Sequence, residues 1–170
     1  MFETSALTAA DKAGQYAELA AQLHGLLHGE TDLVANAANF AALVYHALPE
    51  LNWCGLYFVR DAGNGDDDDE LVLGPFQGRP ACVRIAFGRG VCGTAAATRT
   101  TQLVPDVHAY PGHIACDSAS RSEIVVPLVR GDGTLLGVWD VDSPRAARFD
   151  EDDRAGMQAL CAIFLQACAV

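Results

Sequence analysis

Apolar residues recur at helical spacing twice near the start of the chain. From Thr8 to Gly29, Leu19, Leu23, Leu26 and Leu27 fall on one side, with Thr8 placed to cap the helix. A second helix is predicted from about Thr31 to Leu48, with Leu33, Phe40, Leu43, Val44 and Leu48 on its apolar side and Pro49 ending it. At Asn52 the pattern changes to strands. NWCGLYFVR, ELVLGPFQG and ACVRIAF read as three, and GRGVCGTAAATRT as a short helix introduced by glycines. TQLVP is a brief fourth strand. EIVVPLVR and TLLGVWDVD flank Gly131-Asp132-Gly133, a hairpin signal. The last helix is predicted to start at Phe149-Asp150, with acidic residues 151–153 complementing its dipole and Leu160, Ile163, Phe164 and Ala167 buried. Strands joined by short turns predict an α+β fold: one domain over residues 1–170, with a mainly antiparallel sheet of about six strands. Helices (about 8–48 and 150–168) pack on a sheet-and-loop region (about 52–143).

Composition narrows the function classes. The 170 residues are 51% apolar and 19% charged, enough for a full core. A net charge of -11 removes the electrostatic basis for nucleic-acid binding, and apolar runs stop short of membrane-spanning length. Met1 to Ser5 carries no basic leader, so the expected location is cytoplasmic. There, six cysteines point to thiol chemistry or metal before structural disulfides.

Three of those cysteines, Cys82, Cys92 and Cys116, gather in one stretch. Cys116 closes a loop broken by Pro105, Asp106, Pro111 and Gly112, where a thiol is held over a surface. Cys92 opens the glycine-led helix, whose N-terminus can favour a thiolate, although for each of these three cysteines a small buried hydrophobe is the commoner fate. Cys54, Cys161 and Cys168 are read as small buried hydrophobes. Val138, Asp140 and Asp142 share one face of the last strand, with Gly137, Trp139 and Val141 on the other. The hairpin should bring Glu123 opposite these two aspartates. Three like charges together call for a ligand ammonium or a carboxyl that keeps its proton. Zinc on Cys82, Cys92, His113 and Cys116 lacks the usual CxxC or HxxxH spacing, so no metal is expected. Asp66 to Asp69 lacks the ligand spacing of a calcium loop and reads as a solvated tip. His24, His28 and His46 are expected at the surface.

LNWCGLYFV, LVLGPFQGRPACVRI, GRGVCGTA, DVHAYPGHIACDSASRSEIVVPLV and LLGVWDVDSP resemble the GAF-domain free methionine-(R)-sulfoxide reductases, in that family's order over the middle two-thirds of the chain. The resemblance implies Cys116 as nucleophile, Cys82 as its resolving partner and Cys92 as an accessory thiol. It also implies an acidic cluster at Glu123, Asp140 and Asp142 and an aromatic wall at Trp53 and Tyr57. Cys54 and Trp139 depart from the small and aliphatic residues common at those positions. The substrate implied is free methionine sulfoxide, the electron donor thioredoxin, and no bound cofactor is needed; a homodimer is compatible. The chemistry suits these residue types. A carboxylic acid protonates the sulfoxide oxygen while a thiolate attacks sulfur, and a second thiol converts the sulfenic acid to a disulfide. A GAF domain that only binds a small molecule, or a thiol redox sensor, would share many of these residues without turnover.

Overall fold

The computed structural model describes residues 4–60, 69–112 and 118–168. The predicted nucleophile Cys116, with His113 and Asp66–Asp68 of the acidic tip, lies outside the described residues. The first helix, α1 (Lys12–Leu27), begins later than its sequence suggested. Its cap is Asp11, whose carboxylate accepts from the Gly14 N–H at 2.7 Å, because Thr8 instead donates its N–H and hydroxyl to Glu18. The other helices are α2 (Leu33–Ala47), α3 (Gly90–Thr98) and α4 (Glu151–Ala167). Asp150 caps α4 in a reciprocal capping box with Asp153. Buried Asp153 also accepts from Tyr16 at 2.8 Å and Arg148 at 3.2 Å and pairs with Lys12. The start of α1 is thereby tied to the start of α4.

The six strands are β1 (Trp53–Arg60), β2 (Glu70–Gly78), β3 (Arg84–Ala86), β4 (Gln102–Val104), β5 (Ser122–Val129) and β6 (Leu135–Ser143). They form one antiparallel sheet in the order β3-β2-β1-β6-β5-β4. Only three residues of the predicted ACVRIAF strand join it. Pro80 has no N–H for a ladder, and the segment before Arg84 runs along the site described below. The β5–β6 turn closes through the Arg130 N–H to the Thr134 carbonyl at 2.9 Å, with Gly133 at φ 87.

Alternation along each strand divides the sheet into two faces. Cys54, Leu56, Phe58, Ile124, Val126, Leu128, Trp139 and Val141 pack with α1, α2 and α4 in the larger core. Trp53, Tyr57, Val125 and Val138 point the other way, toward α3. Trp139 is absorbed by the helix-side core: it stacks on Phe40 at 4.0 Å and donates to the Met157 sulfur at 3.4 Å. Cys54, Cys161 and Cys168 are free and buried, and burial pushes all three thiols up, as expected of packing residues. His24, His28 and His46 are exposed.

At Gly137 there is no room for a side chain between β6 and β1. A Cβ there would stand 2.0 Å from the Tyr57 carbonyl oxygen and 2.9 Å from the Phe58 Cα, both backbone atoms that cannot swing away. Gly137→Ala is therefore expected to destabilise the domain by about 3 kcal/mol, at the upper end for overpacking. A urea midpoint unchanged from the parent would show that the seam can widen without loss.

Candidate active site

The face toward α3 carries a small cavity of about 30 Å³. Its floor follows from strand register. Trp53, Asp142 and Glu123 lie side by side across β1, β6 and β5, and Gly55, Asp140 and Val125 form the next row. The three carboxylates thus meet as the hairpin reading required. Glu123 and Asp140 are each only 6% exposed, while Asp142 is half-buried.

The wall is aromatic. Trp53 stacks on Tyr57 at 5.8 Å and on Phe76 at 5.4 Å, both near-parallel. Gly55 between them makes this arrangement fit, since a Cβ there would lie 2.6 Å from the Trp53 ring and 2.4 Å from the Phe76 Cβ. Both rings are pinned at their polar ends. The Trp53 indole N–H donates to the Arg79 carbonyl and the Tyr57 hydroxyl to the Cys82 carbonyl, each at 3.1 Å. Cys82 is disulfide-bonded, whereas the described free cysteines are Cys54, Cys92, Cys161 and Cys168.

Of the two readings open for Cys92, the structure favours the buried thiol. Its place in the first turn of α3 suggested a stabilised thiolate, yet the thiol is buried over the carboxylates, 3.9 Å from Glu123 Oε1. Burial first, then the charges of Asp140 and Glu123, push its pKa well up. The local benefit of a helix N-terminus is outweighed by what faces the thiol. Nor can Cys82 serve the zinc set considered from sequence while its sulfur is in a disulfide.

Burial drives the carboxyls in the same direction. Asp140 rises to about 7, chiefly through desolvation, and Glu123 is pushed well above the carboxylate range by desolvation and by Asp140 and Asp142. The negative charge of Asp140 adds to the rise at Glu123, so a proton kept by the pair relieves their repulsion. Asp140 Oδ1 is buried with no hydrogen-bond partner among the described residues. The consequence for stability has a definite sign. The folded pair holds protons that the unfolded chain releases near ordinary carboxylate values, so the unfolded state binds fewer protons as pH rises. Stability should fall between about pH 4 and 7, the window bounded by the two Asp140 values. Urea midpoints across that range should decline, and Asp140→Asn should flatten the decline. A parent midpoint rising through that window would contradict proton retention by the buried carboxyls.

The GAF domain signature matches residues 22–167. The chain belongs to the GAF-domain family. Among relatives of this GAF domain, Protein YtsP of Bacillus subtilis (strain 168) is 57% identical over 143 residues, 84% of each chain. A free methionine-R-sulfoxide reductase of Escherichia coli (strain K12) is 49% identical over 147 residues, 86% of this chain and 84% of that one. The X-ray structure of free methionine-R-sulfoxide reductase from Neisseria meningitidis in complex with its substrate superposes with a TM-score of 0.89. It is 46% identical and covers 99% of this chain and 96% of that one.

Sequence reasoning missed several residues that this GAF domain places around the cavity. Arg89, Gly90 and Val91 line it from α3, and buried Ser120 lines it from the loop before β5 while accepting from Asn52 at 2.9 Å. The Gly88–Gly90 run was a signal for the helix start, but nothing local indicated which surface that helix would face. Among the described residues no helix is long and apolar enough to cross a membrane.

Proposed function

We propose that this GAF domain reduces free methionine-R-sulfoxide to methionine. The observation that carries the reading is the floor of the cavity: buried Glu123 and Asp140 facing one another, beside a stacked aromatic wall that is tied to disulfide-bonded Cys82. The relatives of that name support the same reading.

The proposed chemistry starts with a thiolate at Cys116 attacking the sulfoxide sulfur. A carboxylic acid, assigned to Glu123, gives its proton to the sulfoxide oxygen, which would otherwise leave as a strongly basic anion. The oxygen passes to the attacking sulfur as a sulfenic acid, and methionine is released with its sulfur reduced by two electrons. The Cys82 thiol then displaces water from the sulfenic acid, forming the disulfide. A dithiol donor, thioredoxin in this proposal, reopens it by exchange and restores both thiols. Among the described residues Cys82 is disulfide-bonded, which fits Cys82 as the resolving thiol. No bound cofactor enters this sequence of steps.

Recognition follows from the same cavity. Asp140 and Asp142 attract the ammonium, Trp53 and Tyr57 enclose the methyl and sulfur end, and the first turn of α3 with Arg89 offers a positive end for the carboxylate. A residue within a polypeptide has neither free charge, so methionine sulfoxide in peptides is excluded. A coupled assay of NADPH consumption with thioredoxin and its reductase tests the reading on free R and S sulfoxides and a blocked peptide. Turnover of the R form alone is expected; equal rates on the blocked peptide would overturn it. In Cys82→Ser, one methionine per enzyme should form in a single turnover, while steady-state recycling falls at least tenfold. Unchanged steady-state turnover would remove Cys82 from the cycle.

A further inference from the structure

One soft and two hard donors converge at the cavity floor. Cys92 Sγ and one carboxylate oxygen each of Glu123 and Asp140 lie within 4.8 Å of one another, and all three residues are buried. Around Zn²⁺, sulfur sits at about 2.3 Å and oxygen at about 2.0 Å, so neighbouring tetrahedral donors stand roughly 3.5 Å apart. The 3.9 Å between Cys92 Sγ and Glu123 Oε1 is close to that separation. A second observation points independently to a cation. Asp140 Oδ1 has no hydrogen-bond partner among the described residues although its residue is only 6% exposed. The donors come from α3, β5 and β6, which explains why no local CxxC or HxxxH spacing announces them.

We propose that Cys92, Glu123 and Asp140 form a three-ligand site for a thiophilic divalent cation, Zn²⁺ by its donor set, with the fourth position open to the cavity. Calcium and magnesium are disfavoured because each wants about six or more oxygen donors, whereas a thiolate with two carboxylates suits zinc. Binding is an exchange without redox change: the thiol proton and any proton on the carboxyl pair leave to solvent as the metal bonds form. Cation and substrate then exclude one another, because Asp140 serves both. This second part rests on the proposed reductase reading; the binding itself does not.

The test uses Co²⁺ as a spectroscopic probe on the intact chain with the Cys82 disulfide formed, so that Cys82 cannot supply a thiolate. One equivalent should produce a thiolate-to-cobalt band in the near ultraviolet and tetrahedral bands in the visible, both removed by added Zn²⁺. The near-ultraviolet band should vanish in Cys92→Ser and persist in Cys161→Ser. Asp140→Asn, checked for folding by circular dichroism, should weaken binding at least tenfold while keeping the thiolate band at saturation. No band at millimolar Co²⁺, a band that survives in Cys92→Ser, or unchanged affinity in Asp140→Asn overturns the site. Zn²⁺ should also raise the apparent KM for the sulfoxide without lowering kcat. Inhibition that substrate cannot relieve would overturn mutual exclusion, while a protein without reductase activity would leave the cobalt result standing.

Discussion

Cys116→Ser is expected to abolish methionine formation from the free R-sulfoxide, in a single turnover as well as at steady state. The loss should be on the order of 10⁴-fold or more, as when a covalent nucleophile is removed from a site whose other groups only assist it. A hydroxyl at this position is far less nucleophilic than a thiolate, and sulfenic acid chemistry has no oxygen equivalent. The other thiols cannot substitute. Cys54 and Cys161 sit in the helix-side core, and Cys92 is held protonated over two carboxyls. Cys54→Ala and Cys161→Ser should therefore keep the rate within about twofold, whatever they do to stability. Rapid-quench measurement of methionine per enzyme decides the matter; full activity in Cys116→Ser would remove the proposed mechanism.

The second large effect is expected at Glu123. Burial and the charges of Asp140 and Asp142 push its carboxyl well above the ordinary range, and it is assigned as the group that arrives protonated at the sulfoxide oxygen. Glu123→Gln should lower the chemical rate by about 10²–10³-fold with little change in KM, within the usual contribution of a general acid. Asp140→Asn and Asp142→Asn should mainly raise KM by weakening the hold on the ammonium. The pH profile separates these roles. An acid must be protonated to act, so the parent rate falls as pH rises through the upper titration of the Glu123–Asp140 pair, and Glu123→Gln should lose that limb. Three amide variants with near-parental kinetics would mean that the carboxylates are buried without a part in the reaction.

The hairpin made much of this site legible beforehand. Gly131-Asp132-Gly133 sets where β5 folds back on β6, and period-two alternation then puts Glu123 beside Asp142 and on the same face as Asp140. The same alternation assigned Trp139 and Val141 to the opposite face. Cys92 was harder. Its helix was visible, but its electrostatics depend on how α3 docks over β5 and β6, a contact between segments far apart in the chain. Arg89 and Ser120 escaped notice for the same reason, being loop and helix-end residues whose importance comes from tertiary position. Thr8 and Asp11 were both chemically able to cap α1, and Glu18 decided between them by engaging Thr8.

The strand order also bears on how the domain assembles. The β5–β6 hairpin and the β1–β2 pair each join strands near in sequence, but the central seam pairs Phe58 with Gly137 and Trp53 with Asp142. Closing it brings together residues about 80–90 positions apart, an entropic cost met before any seam contact forms. The aromatic wall rides on β1, whereas the carboxylates ride on β5 and β6. Neither half binds a zwitterionic thioether alone. Binding competence should therefore appear late in refolding, in step with seam closure and after hairpin formation, and a chain emerging during synthesis has no pocket until β6 has been made.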